Sequence, residues 1–381
     1  MATSVDHVES ALSYGRQFDL SKGKTNGFDY LRFLLAIGVL LWHSFGIQNG
    51  RAWLDTALLT HPILQLAVTL ILPMFFALSG FLVTSSLART KSIKTYLIFR
   101  ALRIGPALAV EVTLAAILLG ALVTALPLNE YFLSSGVYTY FLNIVGLVHY
   151  ELPGVFHENV YPRVVNGSLW TVPYELECYV YLVVLYLLGV FRRPIFLLLA
   201  FIVCTYIVVE LGFTSTRGLI TALKEMVMGG MDPNANLQQA AGAKIEGARI
   251  LVLSFLAGSL VYEWRDKIRF HWLTALISGA VGLWMLASPA LYFYSPLPLA
   301  LLTVYLGLCN PPKIGILQRG DYSYGIYLYA FPIQQTIAWT GLIEGKPFLH
   351  AALSLLLVSV FAVFSWHVIE KPFLSLKKRF R

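Results

Sequence analysis

Residues 28–47 read FDYLRFLLAIGVLLWHSFGI, an apolar run interrupted by a few ionisable side chains. About 20 residues of this kind form a helix that crosses a bilayer. Because a helix turns about 100° per residue, Arg32 and His43 lie on one face, about 16 Å apart along the axis. Ionisable groups inside a membrane span are costly to keep and face a cavity or a protein partner. This stretch predicts a membrane protein with chemistry inside the membrane.

The composition of the whole chain favours the same class. Hydrophobic residues make up 57% of the 381 residues and charged residues 13%, against about 25% charged residues in soluble domains. A soluble fold is therefore excluded. We predict an all-α integral membrane protein with about ten transmembrane helices of bilayer-spanning length. The predicted spans are residues 28–48, 62–88, 104–126, 168–190, 194–211, 248–263, 272–289, 291–309, 322–343 and 349–369.

Lysine and arginine residues are concentrated in alternate loops between these spans. If the N-terminus is cytoplasmic, 20 of the 28 lysine and arginine residues lie in inward segments and seven in outward ones, as the positive-inside rule predicts. Both termini are then cytoplasmic. The net charge of +8 follows from this topology, and the basic segments need only anionic lipid as a partner. We therefore predict no nucleic-acid partner. The predicted regions are a cytoplasmic N-terminal segment 1–27, a transmembrane domain 28–369 and a basic cytoplasmic tail 370–381.

Two outward loops, 127–167 and 212–247, are long. Residues 131–149 in the first loop are apolar, but an extra crossing there would place every later basic loop outside. We therefore predict an interfacial or re-entrant helix at 131–149. The second loop contains Asp232, Pro233 and Asn234 and predicts a solvated segment with one short amphipathic helix.

Candidate proton-transfer groups lie near the outer ends of two spans. His43 is near the outer end of the first span, and a neutral imidazole is well matched to take a hydroxyl proton near pH 7. Glu175 enters the membrane at a similar depth in the fourth span, so we predict that it orients His43, as a carboxylate does in acyl-transfer triads. The alternative for His43 is a core histidine hydrogen-bonded to a neighbouring hydroxyl.

The opposite, inner end carries a candidate anion site. Arg100 and Arg103 are three residues apart on one helical face at the start of the third span. Guanidinium groups bind phosphate oxygens in two-point fashion. Arg100 and Arg103, together with Asp29 and Arg32, predict that an anion binds at the cytoplasmic end of these spans. The alternative is that the arginines only determine topology or anchor lipid.

Two further features have simpler explanations. Ser79 lies in the sequence FFALSGF (residues 75–81) and is a candidate nucleophile. The segment lacks the G-x-S-x-G pattern that exposes such a serine. We therefore favour a close approach between two helices at Ser79 and Gly80. The cysteines lie in apolar runs without CxxC spacing, so we predict packing roles and no metal site. They are Cys178, Cys204 and Cys309.

The order and spacing of several motifs resemble those of the membrane acyltransferase-3 family, in its single-domain form, over about residues 26–376. The motifs are Arg32-x10-His43, FFALSGF at 75–81, RALRIGP at 100–106, SLWTVPYE at 168–175, YSYGIYLY at 322–329 and EKPF at 370–373. Four positions depart from the family pattern. They are Tyr30 and Phe33 in place of glycines, Leu176 in place of an acid and Ala330 in place of a histidine.

The resemblance implies a carbohydrate O-acyltransferase, usually an O-acetyltransferase, of the bacterial inner membrane. The donor would be acetyl-CoA or another acyl-CoA from the cytoplasm, with no permanently bound cofactor. The acceptor would be an extracytoplasmic carbohydrate such as exopolysaccharide, O-antigen or a lipid-linked precursor. The implied assignments are His43 and Glu175 as catalytic residues, Asp29, Arg32, Arg100 and Arg103 as donor-binding residues, and Ser168, Trp170 and Tyr174 as acceptor-binding residues.

Several alternatives stay open at this point. His43 either deprotonates a sugar hydroxyl or forms a transient acyl-histidine. Trp170 and Tyr174 are also typical of an interfacial aromatic belt. A proton-coupled transporter that uses Arg32, His43 and Glu175 would equally explain buried charge, although the chain shows no inverted repeat. A third alternative is an inactive scaffold for polysaccharide assembly.

Overall fold

A computed structural model describes residues 12–23, 25–210, 235–313 and 315–380, with the side chains of 235–247 and 316 excepted. Regular structure in these ranges is helical, apart from an isolated bridge between Ser13 and Arg269. The prediction of an all-α protein is confirmed. The helices are α1 Tyr14–Leu20, α2 Asn26–Asn49, α3 Arg51–Thr60, α4 Pro62–Thr90, α5 Ile93–Val123, α6 Leu128–Leu133, α7 Ser135–Tyr140, α8 Val172–Leu187, α9 Pro194–Glu210, α10 Ala235–Trp264, α11 Trp272–Ala287, α12 Pro296–Leu308, α13 Ser323–Trp339 and α14 Pro347–Phe380.

Several of these helices are suited to cross a membrane. Within the described residues, α2, α4, α5 and α14 are long and apolar enough to span, and α9, α11 and α12 are shorter apolar helices. Each of the ten predicted spans coincides with a helix. The number of crossings and the cytoplasmic position of the termini stay predictions.

Two helices begin earlier than predicted. Helix α5 starts at Ile93 instead of residue 104, with the Ser92 side chain accepting a hydrogen bond from the Thr95 N–H at its N-terminus. Arg100 and Arg103 are therefore inside the helix, not ahead of it. Helix α10 starts at Ala235, so the end of the predicted loop 212–247 is helical. The rest of that loop, up to residue 234, lies outside the described residues.

The apolar segment 131–149 forms no single span, in agreement with the sequence. It consists of the end of α6, α7 and a 3₁₀ helix at Phe141–Val145. Tyr131 is fully buried and donates a hydrogen bond to the Ala116 carbonyl at 2.6 Å, which ties α6 to α5. The interfacial or re-entrant position of this segment stays a prediction.

Both predicted terminal segments pack on the bundle. Helix α1 lies in the segment predicted as polar, but Tyr14 is fully buried and donates to the Leu301 carbonyl at 3.0 Å. At the other end, α14 continues through the predicted boundary at residue 370 to Phe380. A π-helical turn, Ser365–Glu370, lies at that boundary without ending the helix. The basic tail is thus part of the helical bundle.

Helices α4 and α10 approach each other closely. A Cβ at Gly80 would lie 1.9 Å from the Phe255 carbonyl oxygen, and a Cβ at Gly258 would lie 1.9 Å from the Ala77 carbonyl oxygen. Small residues allow such backbone contact between membrane helices. The predicted close approach at Gly80 is therefore confirmed.

Helix α13 lies between α2 and α14 and is buried along most of its length. The amide of Gln334 donates to the Leu40 carbonyl at 2.7 Å and to the Ser44 hydroxyl at 2.5 Å. A buried amide must find partners, so these bonds fix the position of α13 against α2. This contact places the two helices that carry Tyr327 and His43 side by side.

Candidate functional site

A large cavity of about 1120 Å³ lies among α2, α4, α5, α8, α13 and α14. Helix α4 lines it from Leu72 to Thr90, so it extends about 27 Å at about 1.5 Å per residue. Its basic end, as we call it, is lined by Arg89, Arg100, Arg103 and Lys377. Its aromatic end is lined by Leu72, Phe75, Thr171 and Tyr327.

Carboxylates neutralise two of the predicted donor-binding arginines. Arg103 contacts Asp321 at 2.8 Å and Glu370 at 3.0 Å. Arg32 contacts Asp29 at 2.6 Å and Asp321 at 3.4 Å. Burial alone would raise the pKa of Asp321, but Arg32 and Arg103 hold it below its usual range. The four helices or loops that supply these groups are thereby joined by one network of ion pairs.

Two members of that network were not predicted from the sequence. Asp321 precedes the YSYGIYLY motif, and Glu370 begins the EKPF motif, where it received no role. The Glu370 side chain is only 1% exposed. Buried carboxylates are almost always paired, so an acid at the edge of an apolar run is the signal that would have found both.

Arg100 has a different environment from Arg103. Among the described residues it has no carboxylate partner; its Nη2 lies 3.5 Å from the Ser86 hydroxyl and its guanidinium group 5.8 Å from the centre of the Tyr179 ring. Its Nε is buried and has no hydrogen-bond partner. The charge of Arg100 is therefore available to an anion in the cavity.

Glu175 lines the same cavity but does not contact His43. Its Oε1 accepts a hydrogen bond from the Tyr179 hydroxyl at 2.5 Å, one turn further along α8. Its nearby charges are Arg103 and Arg100, which attract a carboxylate more strongly than a neutral imidazole does. The predicted Glu175–His43 contact is wrong.

His43 lies beyond the aromatic end of the cavity. Its half-buried ring packs against Phe331 at 77°, with ring centroids 5.0 Å apart, and its buried Nδ1 has no hydrogen-bond partner in the part of the chain that the structure describes. Phe331 follows Tyr327 by one turn of α13, about 6 Å along the axis. Tyr327 lines the cavity. A single helical turn thus separates His43 from the cavity.

The predicted acceptor-binding residues lie at the start of α8. Trp170 and Tyr174 are half-buried, with ring centroids 6.1 Å apart. Ser168 is buried, and its hydroxyl has no hydrogen-bond partner. The Ser168 carbonyl and the Thr171 hydroxyl both contact the Tyr327 hydroxyl, at 3.0 and 2.7 Å. Thr171 and Val172 of this segment line the cavity, whereas Ser168, Trp170 and Tyr174 are not among its lining residues.

A buried pair that sequence analysis missed anchors the same segment. The Asn166 amide donates to Glu111 Oε1 at 2.8 Å and to the Leu328 carbonyl at 3.0 Å. The side-chain oxygen of Asn166, Oδ1, accepts a hydrogen bond from the Ser168 N–H at 3.0 Å. Glu111 is an ionisable residue inside a predicted span, which is the same signal that identified Arg32.

The long apolar helices are those of a multi-pass membrane protein. This chain belongs to the acyltransferase-3 family, because the family profile described as "Acyltransferase domain" matches residues 25–368. It is an acyltransferase, as the sequence motifs predicted.

Two relatives resemble the chain over nearly its whole length. An "O-acetyl transferase" of Shigella phage Sf6 is 26% identical over 363 residues, covering 92% of this chain and 97% of the relative. "Nodulation protein 10" of Rhizobium leguminosarum bv. viciae is 26% identical over 389 residues, covering 94% and 95%. No solved structure matches the chain.

Proposed function

We propose that this protein transfers an acyl group, usually acetyl, from cytoplasmic acyl-CoA to a carbohydrate hydroxyl on the opposite face of a bacterial inner membrane. The observation that carries this proposal is the elongated cavity, which runs from a basic end to within one helical turn of His43. A donor with phosphates at one end and a thioester at the other matches that distribution of charge. The O-acetyl transferase relative supports acetyl as the transferred group.

The basic end supports binding of the CoA phosphates. Arg100 provides a guanidinium group that forms no salt bridge among the described residues, and Arg89 and Lys377 line the cavity beside it. Guanidinium groups bind phosphate through short, charge-assisted hydrogen bonds. Arg32, Arg103 and Asp29 hold the ion-pair network, so we revise their roles from donor binding to positioning.

His43 is the group we assign to proton transfer. The acceptor hydroxyl oxygen attacks the thioester carbonyl carbon, and His43 takes the hydroxyl proton. The C–S bond breaks, and the departing thiolate takes the proton from the imidazolium. In the second route that the sequence left open, His43 attacks the thioester carbonyl carbon, the C–S bond breaks and CoA leaves as the thiol with the imidazole proton. The acceptor hydroxyl oxygen then attacks the acyl-histidine, the N–C bond to His43 breaks, and the hydroxyl proton returns to the imidazole. Because no carboxylate among the described residues contacts Nδ1, the triad role predicted for Glu175 has no support.

The acceptor proposal rests on the family resemblance and on the aromatic pair near His43's end of the bundle. Trp170 and Tyr174 present ring faces and edges of the type that bind sugars. The concentration of basic residues in alternate loops supports a cytoplasmic position for the basic end of the cavity. The acceptor hydroxyl would then reach His43 from the extracytoplasmic side.

The test compares surface polysaccharide from cells that lack the protein and from complemented cells. Wild type, His43→Ala and His61→Ala are expressed at matched membrane levels, with His61 chosen because it is an exposed histidine at the start of α4. We expect NMR signals of O-acetyl groups with wild type and His61→Ala only, while purified His43→Ala still binds CoA. Restoration by His43→Ala would refute the assigned chemistry. Sugar uptake by liposomes without acyl-CoA consumption would favour the transporter instead.

A further inference from the structure

Two aromatic rings of the cavity wall contact each other on the side toward His43 and narrow the cavity there. Phe75 of α4 and Tyr327 of α13 contact each other with ring centroids 6.2 Å apart and planes at 67°. The Tyr327 hydroxyl is held by the Thr171 hydroxyl at 2.7 Å and by the Ser168 carbonyl at 3.0 Å. Tyr327 is therefore held in place by hydrogen bonds to the segment before α8, whereas Phe75 is held by apolar packing.

The space behind the constriction is filled. Phe331 is 3% exposed and packs against His43 and against Tyr161, with ring centroids 5.0 and 5.9 Å away. A Cβ at Gly167 would lie 2.6 Å from the Phe331 ring, so this ring has no free volume on that side. A group that passes between Phe75 and Tyr327 meets Phe331 and His43 at once.

The distance from the basic end places a thioester at this constriction. Arg100 lies against Ser86 of α4, and Ser86 and Phe75 are separated by about 16 Å along the helix at about 1.5 Å per residue. That separation is close to the length of an extended pantetheine arm. A donor whose phosphates bind Arg100 therefore presents its acyl group between Phe75 and Tyr327, with little room beyond.

We propose that Phe75 and Tyr327 determine which acyl group is transferred, by admitting a short group such as acetyl and excluding longer chains. The inference rests on the proposed function, since it takes acyl-CoA as the donor. Pockets that discriminate by size separate substrates that differ by one methylene by about tenfold or more. A truncated side chain at 75 enlarges the passage without touching the hydrogen bonds of Tyr327.

The experiment measures transfer or hydrolysis of acetyl-CoA, butyryl-CoA and hexanoyl-CoA by purified wild type and variants in lipid. For Phe75→Ala we expect the ratio of hexanoyl to acetyl activity to rise about tenfold or more. Phe75→Leu gives an intermediate rise and guards against misfolding of the alanine variant. Phe99→Ala is the matched control, because Phe99 lines the same cavity near the basic end and its loss should leave the ratio unchanged.

Three outcomes are informative. A raised ratio in both Phe75 variants, with none in Phe99→Ala, supports the proposal. An unchanged ratio in Phe75 variants that still bind CoA and transfer acetyl overturns it and leaves the proposed function intact. If wild type neither binds CoA nor uses any acyl-CoA, the proposed function fails, and the inference fails with it.

Discussion

At the scale of single residues, the three arginines that line the cavity from α2 and α5 differ in their counter-ions. Arg32 and Arg103 each contact two carboxylates, whereas Arg100 contacts a serine hydroxyl and an aromatic ring. A neutralised arginine has little charge left for a ligand. Substitution should therefore separate ligand binding at Arg100 from structural support at Arg103.

Arg100→Ala should weaken CoA binding. Hydrogen bonds to charged groups contribute about 1.5–3 kcal/mol. The dissociation constant should therefore rise about tenfold to a hundredfold, since about 1.4 kcal/mol is a factor of ten. Isothermal titration calorimetry of the purified protein at low and high salt measures this effect, and salt should weaken wild-type binding more than that of the variant. Arg319→Ala, an exposed arginine outside the cavity, is the control; equal loss in both variants would contradict a specific site.

Arg103→Ala should destabilise the fold. It leaves Glu370, whose side chain is 1% exposed, without its cation, and breaking a buried pair in this way costs about 3–5 kcal/mol. The added change Glu370→Gln removes the unpaired charge, so the double variant should melt at a higher temperature than Arg103→Ala alone. Thermal unfolding in detergent measures both. The single variant Glu370→Gln completes the comparison. If the melting temperature of the double variant falls by the sum of the losses in the two single variants, Arg103 and Glu370 act independently.

At the scale of elements, contact between α4 and α10 depends on two glycines without room for a side chain. The Gly80 and Gly258 positions each face a backbone carbonyl of the other helix. Because backbone atoms cannot move aside as a flexible side chain can, the helices must separate if either glycine gains a methyl group.

Gly80→Ala should therefore reduce the yield of folded protein severely. Gly105→Ala is the matched control, because Gly105 also lies in a helix that lines the cavity region, but a Cβ there meets nothing within 4 Å. An exposed helical Gly→Ala change is neutral or stabilising by up to about 1 kcal/mol. Size-exclusion chromatography of detergent-solubilised protein distinguishes the two, and similar elution of both variants would contradict the close packing.

At the scale of the whole molecule, the cavity gives the bundle two chemically distinct ends. Positive side chains surround one end, and His43 lies beyond the other. The proposed reaction needs these ends on opposite faces of the membrane. Lys94, at the start of α5, and Glu158, between α7 and α8, are exposed positions at the two ends.

Cysteine labelling tests that orientation. In a chain from which Cys178, Cys204 and Cys309 have been removed, a membrane-impermeant maleimide should label Glu158→Cys in intact cells. It should label Lys94→Cys only after permeabilisation. Labelling of Lys94→Cys in intact cells would invert the proposed topology and place the basic end of the cavity outside.

The sequence by itself determined the class of fold, the family and most helix positions. Spans of apolar residues and motifs such as Arg32-x10-His43 are local in the chain, and they can be recognised without knowing what they contact. The cavity residues Arg32, Arg100, Arg103 and Glu175 were all identified in this way. Glu111 was missed, although it met the same criterion of an ionisable residue inside a span.

Only the tertiary structure decided which of these residues act together. Arg103 meets Asp321 and Glu370 across 218 and 267 positions of the chain, so no local pattern could show that its charge is neutralised. The carboxylate of Glu175 contacts Tyr179 and not His43. Its direction depends on how α8 is rotated about its axis, and the position of a residue along a predicted span does not specify that rotation. Contacts between distant helices depend on how the whole bundle packs, and that packing left Arg100 with a charge free for a ligand.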